Sequence, residues 1–289
     1  MAGFLVMAPA VPQAFGRDGL AFGLAYLLVN VIHAALFTRA PDESSAQAIW
    51  RIAPFNMGTA LLIAEAGLIA PAWNWLMWVG VVAVLVVTPF LGKVSGFAIQ
   101  PAHFVERHGL VLIIALGESI ISIAVGAAGE PVTPSLVAAA VLTLALIAAL
   151  WWSYFSQDEQ LAEHALSSVS GGERARMALY AFGYAHLIMI AGVVLAAAGV
   201  KQLIGQLQAA TPLTTSAMLA TGIALYLLGD VMFRRSVGIP SSRLRLSMAL
   251  VRLATMPLGV WAGGLTQVGA LLLMFVITLS WERAGVRHS

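Results

Sequence analysis

Residues 135–155 read SLVAAAVLTLALIAALWWSYF, twenty-one positions without a charged side chain. A helix of that length rises about 30 Å, the thickness of a bilayer's hydrocarbon core. Apolar residues occupy every face of it, so it reads neither as a half-exposed strand nor as a surface helix. The same pattern recurs along the chain at 1–15, 20–37, 50–70, 73–91, 104–127, 174–199, 214–233, 246–262 and 264–281. Barrel strands would alternate in polarity and be half as long. The sequence therefore predicts an all-α fold, a polytopic transmembrane helical bundle of about ten spans forming one integral membrane domain over 1–289.

Composition agrees. Hydrophobic residues make up 60% of the 289 positions and charged residues 10%, with mean hydropathy +0.91. There is no cysteine, which excludes disulfides, thiol nucleophiles and thiolate-held metals. The net charge is +2, and the basic residues are scattered rather than clustered, so no nucleic-acid footprint is expected. The longest loop, 156–173, is too short for a core of its own. Segment 1–15 lacks a basic n-region and reads as a span rather than a signal peptide.

Twelve of the fifteen Lys and Arg residues fall in alternate loops: Arg39, Arg51, Lys93, Arg107, Arg174, Arg176, Arg234, Arg235, Arg243, Arg245, Arg283 and Arg287. The opposite loops hold Arg17 and Lys201, and Arg252 lies within a span. Basic loops stay in the cytoplasm, so both termini are expected there. Trp73, Trp75 and Trp78, like Trp151 and Trp152, are placed as interfacial belts. Arg234, Arg235, Arg243 and Arg245 crowd one short loop. They either bind anionic lipid headgroups or only set topology.

An internal repeat is a further expectation. Ala181-Phe182-Gly183-Tyr184-Ala185-His186-Leu187 echoes Ala21-Phe22-Gly23-Leu24-Ala25-Tyr26-Leu27, five spans earlier and of opposite direction. Inverted repeats of this kind occur in secondary transporters. Gly, Ala and Leu are so common here that chance also produces such matches.

Ionisable groups inside spans are few and carry the functional reading, because each is costly in a bilayer. Glu118 lies near mid-depth of its span, and Glu65, His33, His186, Asp230 and Arg252 lie in others. Arg107, eleven residues before Glu118, returns to nearly the same helical face. His103, Arg107, Ile114, Glu118 and Ser122 then form one stripe from the cytoplasmic mouth, with Glu106 beside it. An interior Glu118, near Glu65 or His186, suits proton relay or ion coordination, or else hydrogen-bonded glue between helices. Asp230 and Arg252 are expected to form a structural ion pair. Neither a metal site nor a cofactor site is expected.

The run Phe104-Val105-Glu106-Arg107-His108-Gly109-Leu110, followed by Ile113-Ile114-Ala115-Leu116-Gly117-Glu118-Ser119-Ile120, resembles the hallmark of the bacterial low temperature requirement A family. Ala8-Pro9-Ala10-Val11-Pro12-Gln13-Ala14-Phe15 and Ala224-Leu225-Tyr226-Leu227-Leu228-Gly229 are also similar to it. The resemblance implies a bacterial inner-membrane protein, and no particular reaction. Members usually open with an acidic aromatic helix and a Trp-rich one. This chain opens in what resembles their third helix, so those two helices, and any acidic group they bring to the site, are expected to be missing.

Three functions compete. A secondary transporter or permease, with protons as the candidate coupling ion and an unknown small solute or ion as cargo, fits the bundle and its buried carboxyl. No Walker A motif is present to drive it. A lipid-modifying enzyme would use His103, Glu106, Arg107 and His108 at the interface, but lacks a nucleophile–base set. A non-catalytic membrane or stress-adaptation component is the third. Membrane lipids are the expected partners, and nothing speaks to oligomeric state.

Overall fold

The computed structural model describes residues 1–37, 43–69, 71–88, 99–207, 209–240 and 243–286. Arg39, Lys93, Ser241 and Arg287 lie outside them. The described residues are helices joined by short turns, as a chain that must satisfy its backbone within lipid requires. They gather into two compact units, Met1–Ile99 and Gln100–Ser289, where the sequence reads as a single domain. Four of the expected spans fall in the first unit and six in the second, so the units are not the two halves of a five-plus-five repeat.

The first unit holds α1 (Ala2–Ala10) with a 3₁₀ turn at Val11–Gln13, α2 (Gly19–Phe37), α3 (Glu43–Ala66) and α4 (Pro71–Val87). Helices α2 and α3 touch through small residues. A Cβ on Gly23 would collide with the backbone of Ala64, the close approach that Gly and Ala permit between membrane helices. Asn74 ties α4 back by donating to the carbonyl of Phe15 at 2.7 Å.

The second unit holds α5 (Pro101–Ala127), α6 (Pro134–Phe155), α7 (Asp158–Ser168), α8 (Gly171–Ala178), a π-helical segment (Leu179–Ala185), α9 (His186–Ile204), α10 (Leu213–Ser236), α11 (Arg243–Leu253), α12 (Met256–Ala262) and α13 (Gly264–Val286). Proline opens α5 and α6 at the position where a missing N–H costs nothing, and Thr133 caps α6 by accepting from the N–H of Leu136. Helices α9 and α10 form the centre. A Cβ on Gly222 would lie 2.5 Å from the Ala196 nitrogen, and one on Gly192 would lie 2.5 Å from the Tyr226 nitrogen.

Each expected span coincides with helix, but among the described residues only six helical segments are long and apolar enough to cross a bilayer. Helices α1 and α4 are short, α3 starts in a polar stretch, and 246–262 is interrupted between α11 and α12. The loop expected at 156–173 is largely helix α7, whose Asp158, Ala162 and Leu166 face inward at i, i+4, i+8.

Candidate functional site

Helix α10 delivers two charges one turn apart, Asp230 and Arg234, to the end of the second unit where α7, α11 and α13 meet it. Asp230 is completely buried. Arg245 of α11, 3% exposed, donates from Nη1 to Asp230 Oδ2 at 2.6 Å. The same guanidinium grips Glu282 of α13 as a fork, Nε to Oε1 and Nη2 to Oε2, both at 2.7 Å. Arg234 donates from Nη1 to both oxygens of Asp158 on α7, at 3.0 and 3.2 Å. Asp158 also lies 3.6 Å from Arg245. The Arg245 guanidinium is thus surrounded by three carboxylates, those of Asp230, Glu282 and Asp158.

Asp230 is thus paired, but with Arg245 and not with the expected Arg252. Arg252 is equally buried, and its Nη1 donates to the carbonyl of Met248 at 2.9 Å. Its guanidinium carbon sits 4.4 Å from the centre of the Phe275 ring, a cation–π contact. Its Nε and Nη2 have no hydrogen-bond partner among the described residues.

His186 is buried, with Nδ1 2.9 Å from the carbonyl of Ala181 and Nε2 3.1 Å from the hydroxyl of Tyr154. A carbonyl can only accept, so Nδ1 carries the proton and Nε2 accepts from Tyr154. Phe182, Phe233 and His108 close around the ring.

Within the second unit, Glu118 does not turn into the helix core. Helix α5 buries Val105, Gly109, Leu112, Ala115, Leu116, Ser119, Ser122 and Gly126. Glu118 lies on the opposite face with Ile114, which is 72% exposed. His103, Glu106 and Arg107 are exposed as well, with His103 3.6 Å from Glu106, and only Ser122 of the stripe turns inward. Glu65 is exposed on α3. His186 keeps Tyr154 and Ala181 as partners, not Glu118. Glu118→Gln should therefore shift the thermal midpoint of the purified protein by no more than a degree or so, and a drop of several degrees would restore Glu118 to the interior.

Two of the arginines expected to meet lipid headgroups, Arg234 and Arg245, are instead committed to carboxylates. Arg235 is exposed, and the side chain of Arg243 is outside the described residues.

A family model described as the bacterial low temperature requirement A protein matches residues 1–281. The chain belongs to that family. An uncharacterized protein of Rhizobium meliloti (strain 1021) is 29% identical over a 210-residue match that covers 68% of this chain and 50% of that protein. The chain thus spans about half the length of the curated relative it matches. No solved structure matches it.

In this low temperature requirement A protein, sequence reasoning missed Asp158 and Glu282. The signal was available: each carboxylate falls just past a long apolar run, on the side that carries the arginine-rich loop. At the other end of the second unit, the α5–α6 and α9–α10 connections border a cavity of about 370 Å³ lined by Glu130, Thr133, Ser135 and Gln206 among others.

Proposed function

We propose that this family member is a secondary transporter or permease of the bacterial inner membrane, with protons as the candidate coupling ion. The observation that carries the reading is Asp230 and Arg252, two completely buried charged residues inside an apolar helical unit. Charges at such positions are costly and mark ion or substrate pathways. The interruption of one span between α11 and α12, beside Arg252, supports the same reading, because transporters place their sites at broken helices. In this proposal Asp230 and Arg252 replace Glu118 as the interior ionisable groups.

The proposal includes about ten crossings, with α11 and α12 together counted as one, and both termini in the cytoplasm. The lack of native thiols makes that easy to check. A cysteine at Ser241 should resist an impermeant maleimide in intact cells and react after permeabilisation. Labelling of intact cells would invert the orientation. Contact of Arg235 and Arg243 with anionic lipid headgroups belongs to the same proposal.

A second reading is a non-catalytic membrane component, favoured by the dense pairing of Arg245 and Arg234 with carboxylates. Proteoliposomes separate the two. A transporter takes up at least one member of a panel of small anions, cations and neutral solutes, with a rate that responds to an imposed pH gradient. A structural component leaves every flux at the level of empty liposomes.

A further inference from the structure

Arg252 and Arg245 lie two helical turns apart on α11, and their guanidinium groups are used differently. Arg245 has its Nε–Nη2 edge filled by the Glu282 carboxylate, in two parallel 2.7 Å hydrogen bonds. That edge is the fork that matches a carboxylate's two oxygens. In Arg252 the same edge is buried and unpartnered among the described residues. Nη1 is tied down to Met248, one face lies against Phe275, and Nε and Nη2 are buried without a partner among the described residues.

A lone buried cation is among the most costly features a membrane interior can hold. Most arginines at such depth find a carboxylate, and α11 shows that this fold can supply one. Asp230, the partner expected from the sequence, is engaged by Arg245. The arginine also sits at the end of α11, where the span is interrupted. The Arg252 carbonyl accepts from both the N–H and the hydroxyl of Thr255, and Pro257 follows inside α12. Broken spans at membrane depth are where transporters hold the charged group of a solute.

We infer that the buried, unpartnered Nε–Nη2 fork of Arg252 binds the carboxylate of a small organic acid when the span break beside it opens, which makes carboxylates the solute class of this protein. The inference rests on the transporter reading and deepens it. The fixed positive charge attracts anions and repels cations at the same point. Phe275 and the tie to Met248 hold the guanidinium in place while leaving Nε and Nη2 without a partner among the described residues.

Acetate is the minimal carboxylate and serves as the probe. The full-length protein is purified in detergent, and its thermal midpoint is compared in sodium acetate and sodium chloride of equal ionic strength. Acetate should raise the midpoint by about 2–4 °C over chloride, because it binds the folded state alone. Arg252→Met should abolish that difference while keeping, in chloride, a midpoint at or above the parent's, because it removes an uncompensated buried charge. Arg252→Lys, a point charge without a fork, should keep only part of the acetate effect.

No acetate effect on the parent protein overturns the inference, as does an equal effect in Arg252→Met. So does a fall of many degrees in both variants in chloride, which makes Arg252 structural. Uptake of labelled acetate by proteoliposomes is read separately. An Arg252-dependent acetate shift without uptake keeps the site and removes the transporter reading. Solute uptake indifferent to Arg252→Met does the reverse.

Discussion

Arg245→Ala is expected to be the most damaging substitution at the arginine-rich end of the second unit. It strips the counter-charge from Asp230 and Glu282 at once and weakens the environment of Asp158. Asp230 is completely buried, so its charge has no access to water once the guanidinium is gone. Removing one partner of such a pair costs about 3–5 kcal/mol, because the remaining charge stays desolvated and unpaired. The measurable result is a large drop in thermal midpoint, or loss of the monodisperse peak on size-exclusion chromatography. Adding Asp230→Leu and Glu282→Leu should recover much of the loss, since the triple variant leaves no orphaned charge at Arg245's own contacts. If Arg245→Ala stays within about a degree of the parent, the network is not holding α10, α11 and α13 together.

Gly222→Leu comes second and acts by steric collision alone. The α9 and α10 backbones pass so closely that a Cβ on Gly222 would lie 2.5 Å from the Ala196 nitrogen and 2.7 Å from the Gly192 carbonyl oxygen. Neither obstacle is a side-chain tip that can swing away. Helices α9 and α10 must separate, and the buried contacts of Leu219, Ile223 and Leu227 go with them. Overpacking costs about 3 kcal/mol and occasionally more. Gly58→Leu is the control, since nothing lies within 4 Å of a Cβ there. Equal stability of the two variants would contradict the close α9–α10 contact.

Hydropathy alone made the helices legible. Each apolar run became helix, because a membrane segment has no other way to satisfy its backbone. Hydropathy could not tell a span from an apolar helix that is too short, broken or polar at one end, which is why α1, α3, α4 and α11–α12 fell outside the six long segments. The family hallmark on α5 was legible too, and it holds.

The site was less legible, and Glu118 shows why. The rule that a polar residue in a span faces inward placed it by chemistry. The face of α5 that turns inward is instead the one with small residues, Gly109, Ala115, Ser119, Ser122 and Gly126, at spacings of three to six. Packing of backbones chose the face, and Glu118 was carried to the other. The Asp230 partner was misjudged by the same kind of count. Depth along the helices brought Arg252 level with Asp230, but depth carries no information on which way a helix is rotated. Only the fold reveals that Arg245 points at Asp230 and that Nε and Nη2 of Arg252 are left without a partner among the described residues.

Asp230 is the residue on which the transport reading turns, and Asp230→Asn keeps its shape while removing its charge. The direct measurement is solute-driven proton flux into proteoliposomes loaded with a pH-sensitive dye, for the parent protein and for Asp230→Asn. The account predicts an acidification or alkalinisation that depends on the solute in the parent and vanishes in the variant, with both proteins folded and incorporated equally. Flux in neither protein, or the same flux in both, contradicts it.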